Sequence, residues 1–80
     1  MQRFFIDFKM GDIDVRDEEG SKFQDQKAAE VEARATLLGQ VRYYLSFDEP
    51  LEMTIMVRDG TRIVFKATAQ TMCRLGSVSV

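Results

Sequence analysis

The stretch from Arg3 to Ala29 constrains the fold more than any other part of the chain. Phe4, Ile6 and Phe8 alternate with Arg3, Phe5 and Asp7. A period of two puts the first set on one face of a strand and the second set on the other. Lys9-Met10-Gly11-Asp12 supplies a glycine-containing turn, and Ile13 and Val15 resume the alternation, so the segment predicts a hairpin. Asp17-Glu18-Glu19-Gly20 ends the second strand. Clustered acids have low strand propensity, and glycine takes a positive φ that other residues resist. Asp25 then offers a carboxylate to the free amides of a first helical turn.

From Gln26 to about Leu45 the residues favour helix, with Gly39 as the one position where a break is an alternative. Two apolar flanks emerge at helical spacing. Ala29, Ala33, Leu37, Val41 and Tyr44 form the first; Val31, Ala35, Leu38 and Leu45 form the second, beside Arg34 and Arg42. The small alanines of the first allow close approach to a sheet, which leaves the second at least partly exposed in a monomer.

Beyond the connector Asp48-Glu49-Pro50, Leu51, Met53, Ile55 and Val57 alternate with Glu52, Thr54, Met56 and Arg58. Asp59-Gly60 signals a hairpin. Ile63, Phe65, Ala67 and Ala69 then alternate with Arg62, Val64, Lys66 and Thr68 in a fourth strand. The fold class is therefore α+β: a four-stranded antiparallel sheet with one helix on one face, in the order ββαββ. A sheet that stays antiparallel throughout needs strand order 2-1-3-4. Residues 1–70 form the single domain, and residues 71–80 are a C-terminal tail or edge segment.

Eighty residues make a thin core, and small chains of this kind often need a supplement. A single cysteine, Cys73, forms no internal disulfide, and without histidine a zinc site is not expected. Oligomerisation is the remaining supplement. The N-terminus lacks the pattern of a signal peptide, and no apolar run is long enough to span a membrane, so a cytoplasmic location is expected. Charge is uneven: residues 1–50 carry seven basic and eleven acidic side chains, residues 51–80 four and two. An acidic front and a basic back can attract each other between copies.

The strand Phe4-Phe5-Ile6-Asp7, the turn Asp17-Glu18-Glu19-Gly20, the helix entry Phe23-Gln24-Asp25 with Ala28-Ala29-Glu30-Val31-Glu32-Ala33, and the Asp59-Gly60 turn together resemble a family of small bacterial proteins known as a domain of unknown function. The resemblance covers residues 3–69. Gln26-Lys27 departs from the apolar-acidic pair of that pattern, and residues 70–80 have no counterpart in it. The resemblance implies a bacterial, cytoplasmic protein of this fold and implies no activity.

Candidate chemistry is sparse. Asp12, Asp14, Asp17, Glu18 and Glu19 suggest a cation loop, but counting from Asp12 puts Arg16 at position five, Asp17 at six and Phe23 at twelve, which fails the calcium-loop pattern. The acids read instead as a solvated turn that discourages edge pairing. Without histidine the common Ser-His and Cys-His pairs cannot form, and the five glycines are too scattered for a phosphate loop. No catalytic residue, metal or cofactor is expected, and the chain reads as a non-enzyme.

On the sheet face away from the helix, the alternation places Arg3, Phe5, Asp7, Asp14, Arg16, Glu52, Met56, Arg58, Arg62, Val64 and Lys66. Phe5, Met56 and Val64 make an apolar centre rimmed by charges, the composition of an interaction surface. The expected interface residues are Phe5, Met56, Val64, Arg58 and, on the second helix flank, Leu38. The expected function is a non-catalytic protein-interaction or regulatory module acting as a homodimer, with an unidentified protein as a further partner. The alternative is a weak single-stranded nucleic-acid binder using the open sheet face, against which the acidic balance argues.

Overall fold

The computed structural model describes the backbone of residues 1–44, 51–74 and 77–79 and the side chains of residues 1–44 and 51–70. The connector at 48–50, Leu45 and the side chain of Cys73 lie outside the described residues. In chain order the elements are β1 (Gln2–Met10), β2 (Ile13–Val15), β3 (Ser21–Phe23), α1 (Gln26–Tyr44), β4 (Leu51–Asp59), β5 (Arg62–Arg74) and β6 (Ser77–Ser79).

These strands make one antiparallel sheet in the order β2-β1-β4-β5-β6, with β3 also paired to β1. The four strands expected from the sequence lie in the expected relative order. Two three-residue strands are added: β3, between the acidic turn and the helix, and β6, against the end of β5. Both two-residue turns start at a glycine with positive φ, Gly11 at 57° and Gly60 at 67°. In the second hairpin Asp59 pairs with Arg62, so the turn is Gly60-Thr61, one residue later than the Asp59-Gly60 signal implied.

The helix forms where its cap allows. The Ala28 N–H donates to Asp25 Oδ1 at 2.9 Å, which satisfies one of the amides that have no partner in a first turn. Ala29, Ala33, Leu37 and Val41 are buried, so the first apolar stripe faces the sheet. They meet Phe4 and Met10 of β1 and Met53, Ile55 and Val57 of β4. Met53, Ile55 and Val57 are fully enclosed, and burying each side chain contributes about 1.5–3 kcal/mol. Ile6, Phe8, Phe23, Tyr44, Phe65, Ala67 and Ala69 close the margins of this core.

One irregularity overturns part of the predicted alternation. Val57 pairs with Phe65 but Arg58 pairs with Ile63, so Val64 is an extra residue in β5, a β-bulge. Ile63, expected to face inward, is instead 53% exposed on the open face beside Arg58. Val64, expected to lie on the open face, packs against the core. The physical reason is the inserted residue, which shifts the phase of the strand on its turn side.

α1 runs unbroken through Gly39, which is exposed and has open space where a Cβ would stand. Glycine in a helix interior is disfavoured by about 0.5–1 kcal/mol relative to alanine. Gly39→Ala should therefore stabilise the protein by that amount, read as a rise in the urea midpoint at unchanged m-value; a loss of stability would show that the helix needs the glycine.

Candidate functional site

The open face of the sheet is organised by pairing between β1 and β4. Phe5 lies directly opposite Arg58, and Asp7 directly opposite Met56. Asp7 and Arg58 are thus diagonal neighbours on one face, within reach of a long side chain. Arg58 Nε donates to Asp7 Oδ2 at 2.6 Å and Nη2 donates to Asp7 Oδ1 at 3.2 Å, the two-pronged contact suited to a planar guanidinium. Nη2 also donates to the Asp17 carbonyl at 2.8 Å, and Nη1 to the Gly60 carbonyl at 2.7 Å. The guanidinium carbon stands 4.8 Å from the Phe5 ring centroid, a cation–π distance.

Asp17 completes the cluster from the other side. Its N–H donates to Asp7 Oδ1 at 2.9 Å. Its own carboxylate accepts from the Gly20 N–H at 2.9 Å and the Ile6 N–H at 3.1 Å. The last bond has a topological reason. On one edge of β1, β3 pairs with Gln2–Phe4 and β2 with Phe8–Met10, which leaves Ile6 in the gap between them. The Asp17 side chain takes the place of a strand there. Gly20 adopts φ 74°, and a Cβ on it would stand 2.8 Å from Phe5 Cε2 and 3.0 Å from the Phe4 carbonyl. Only glycine fits between the turn and the Phe5 ring.

Asp7 and Arg58 are 6% and 7% exposed. Burial pushes the Asp7 carboxyl up, but the hydrogen bonds from Arg58 and the Asp17 N–H, with the charges of Arg58 and Arg16, outweigh it and hold the group below the usual carboxylate range. Burial likewise raises Asp17, and the N–H groups of Gly20, Ile6 and Glu19 lower it further than burial and the Asp7 charge raise it. The hydrogen bond to Asp7 drives Arg58 above its ordinary value against the effect of burial. All three groups are fixed in their charged forms at neutral pH, whereas acid–base work needs a group poised near it.

Around this cluster the open face is grooved. One groove of about 480 Å³ is lined by Asp7, Asp14, Arg16, Met56, Arg58 and Ile63. Another, of about 310 Å³, lies between Lys9, Glu52, Thr54, Met56 and Lys66. Met56, half-buried, lines both. No group of three or more carboxylate, thiol or imidazole side chains among the described residues is placed to hold a metal ion. No described helix is long and apolar enough to cross a membrane.

The expected interface residues are thus sorted. Met56 lies on the open face as expected, and Leu38 is 57% exposed on the far flank of α1. Val64 is turned away by the bulge. Phe5 is not a free ring: it is half-buried between the Arg58 guanidinium and the Gly20 turn. Arg58 and Asp7, read as rim charges, are a buried ion pair, because adjacent antiparallel strands bring opposite charges together out of water. The acidic turn is solvated only at Glu18 and Glu19; Asp17 points inward. The sequence signal for this cluster was available in the expected strand order, which sets Asp7 and Arg58 on adjacent strands and on one face.

Residues 3–70 match the model of a family described as a domain of unknown function, DUF6894. The chain belongs to that family. The match ends one residue short of Thr71, the last β5 residue paired with β4, so the DUF6894 unit comprises the helix, the core of the sheet and the whole Asp7–Asp17–Arg58 cluster. Comparisons with curated proteins and with solved structures find no match.

Two outcomes test the cluster of this DUF6894 protein. Carboxyls held below their unfolded value contribute stability that is present above that value and lost as pH falls through the folded one. Stability should therefore hold from neutrality down to about pH 4 and fall below it. Asp7→Asn should lower stability at neutral pH by about 3 kcal/mol, by leaving the Arg58 charge buried without its partner, and should flatten the acid limb; denaturant titrations across pH read both. Separately, Gly20→Ala should destabilise by about 2 kcal/mol or more from backbone strain and overlap with Phe5, while Gly60→Ala, with open space around it, should lose only about 1 kcal/mol. Equal losses would mean that the turn does not press on the ring.

Proposed function

We propose that this protein is a non-catalytic interaction module that acts as a homodimer in the bacterial cytoplasm and presents its open sheet face to a protein partner. The carrying observation is the disposition of apolar surface. Val31 and Leu38 are 54% and 57% exposed on the flank of α1 that the sheet does not use. Met56 and Ile63 lie on the open face among Lys9, Asp14, Arg16, Glu52 and Lys66. Apolar centres rimmed by both signs of charge suit reversible protein contacts.

The most polar part of the molecule supports the same reading. The Asp7–Asp17–Arg58 cluster is bonded internally and its groups remain charged at neutral pH; although Asp7 and Arg58 border the larger groove, their hydrogen bonds are committed to each other and to the turns. The single-strand-binding alternative draws less support, because Phe5 is capped by Arg58, and Arg58 is itself committed to Asp7 and Asp17.

Sedimentation velocity at high micromolar concentration tests the reading: a species of twice the chain mass is expected, and a monomer throughout would overturn it. Met56→Glu should dissociate a dimer formed through the sheet face, and Leu38→Glu one formed through the helix flank.

A further inference from the structure

The outer edge of β5 is the longest unsatisfied row of backbone groups among the described residues. β4 pairs with one side of β5 from Arg62 to Thr71, while β6 pairs only with Met72–Arg74. Among the described residues, the stretch from Ile63 to Thr71 therefore has no strand beyond it. It contains no proline, and its edge devices are the bulge at Val64 and the charge of Lys66. Resting on the homodimer reading, we infer that this edge pairs antiparallel with the same edge of a second copy, across a two-fold axis at Ala67.

Three features select that occupant and that register. The open stretch, Ile63 to Thr71, is centred on Ala67, with β6 bounding one end and the hairpin turn the other. A two-fold axis at Ala67 sets bulky Phe65 opposite the second copy's small Ala69. It also sets Lys66 opposite Thr68 of the second copy, whereas an axis at Lys66 would oppose two like charges. Phe65, Ala67 and Ala69 border the core on the helix side, and Lys66, Thr68 and Gln70 are exposed on the other, so both faces of the joined sheet keep their character.

The helix flank falls in the same place. The Arg34 guanidinium lies 5.0 Å from the Phe65 ring centroid, which identifies that side of α1 as the one toward β5. Val31 and Leu38, three residues before and four after Arg34, share its side of the helix. The two-fold axis brings the two helices to the same face of one continuous sheet, with Val31 and Leu38 of each turned toward the other. A closed, isologous contact of this kind uses one surface patch twice.

Thr68→Lys is the decisive substitution. Thr68 is exposed, and among the described residues its hydroxyl bonds only that of Thr54 on the neighbouring strand. The change sets two lysines opposite each other at two symmetric positions, and the dimer dissociation constant should rise about tenfold. Adding Lys66→Glu should restore the dimer by turning the repulsion into attraction. Leu38→Glu should weaken it, Met56→Glu should leave it intact, and circular dichroism should show all four variants folded. Amide exchange should slow with rising protein concentration within Phe65–Ala69. A dimer indifferent to Thr68→Lys but broken by Met56→Glu would overturn edge pairing and keep the homodimer reading. A monomer at every concentration would overturn both, including one in which an added extended peptide, rather than a second copy, protects the edge.

Discussion

The ion pair between Asp7 and Arg58 is the contact on which the turn region of this fold depends. It joins the two central strands, and through the Asp17 and Gly60 carbonyls it also holds the acidic turn and the β4–β5 hairpin turn. A buried pair of this kind adds little net stability over an apolar substitute, yet loss of either member leaves an uncompensated charge. Its role is therefore specification. A strand slipped by one residue would turn Asp7 into the core and Arg58 away from it, so the pair excludes alternative registers of β1 against β4.

The remaining polar contacts are arranged around that choice. Asp17 bonds Ile6 at the point where β1 lacks a strand neighbour, and Gly20 lets the chain pass close to Phe5. The ring lies against both the guanidinium and the turn, so aromatic, cation and glycine are packed as a unit. A substitution in one should alter the effect of a substitution in another, since residues in contact are not energetically independent.

Most of the frame was legible in the sequence because it rests on periodicity. Phe4 and the 53–57 apolar set faced the core as their alternation required, and Ala29, Ala33, Leu37 and Val41 were the buried helix face. What was not legible depends on single residues or on distant pairs. The bulge at Val64 leaves no mark in a run where Ile63, Val64 and Phe65 are all apolar strand formers. β3 is three residues long, too short for any period to register. Asp7 and Arg58 are fifty-one positions apart, and each alone looks like an ordinary solvated charge; only the strand order makes them neighbours. Leu38 is exposed and Met56 lies on the open face where the pattern places them, whereas Phe5, Arg58 and Val64 are drawn into tertiary contacts that no local pattern registers.

The two margins of the sheet are unequal. On the β1 side the outermost strands are three-residue β2 and β3, separated by a loop in which a carboxylate stands in for backbone. No neighbouring chain can lay down an unbroken ladder there. Among the described residues only the β5 margin can accept one, and a molecule that can zip along one margin alone exhausts its valence in a single pairing. Such a chain can double without growing into a fibre, so a domain rich in strand-forming residues can be kept at high concentration with its assembly already terminated.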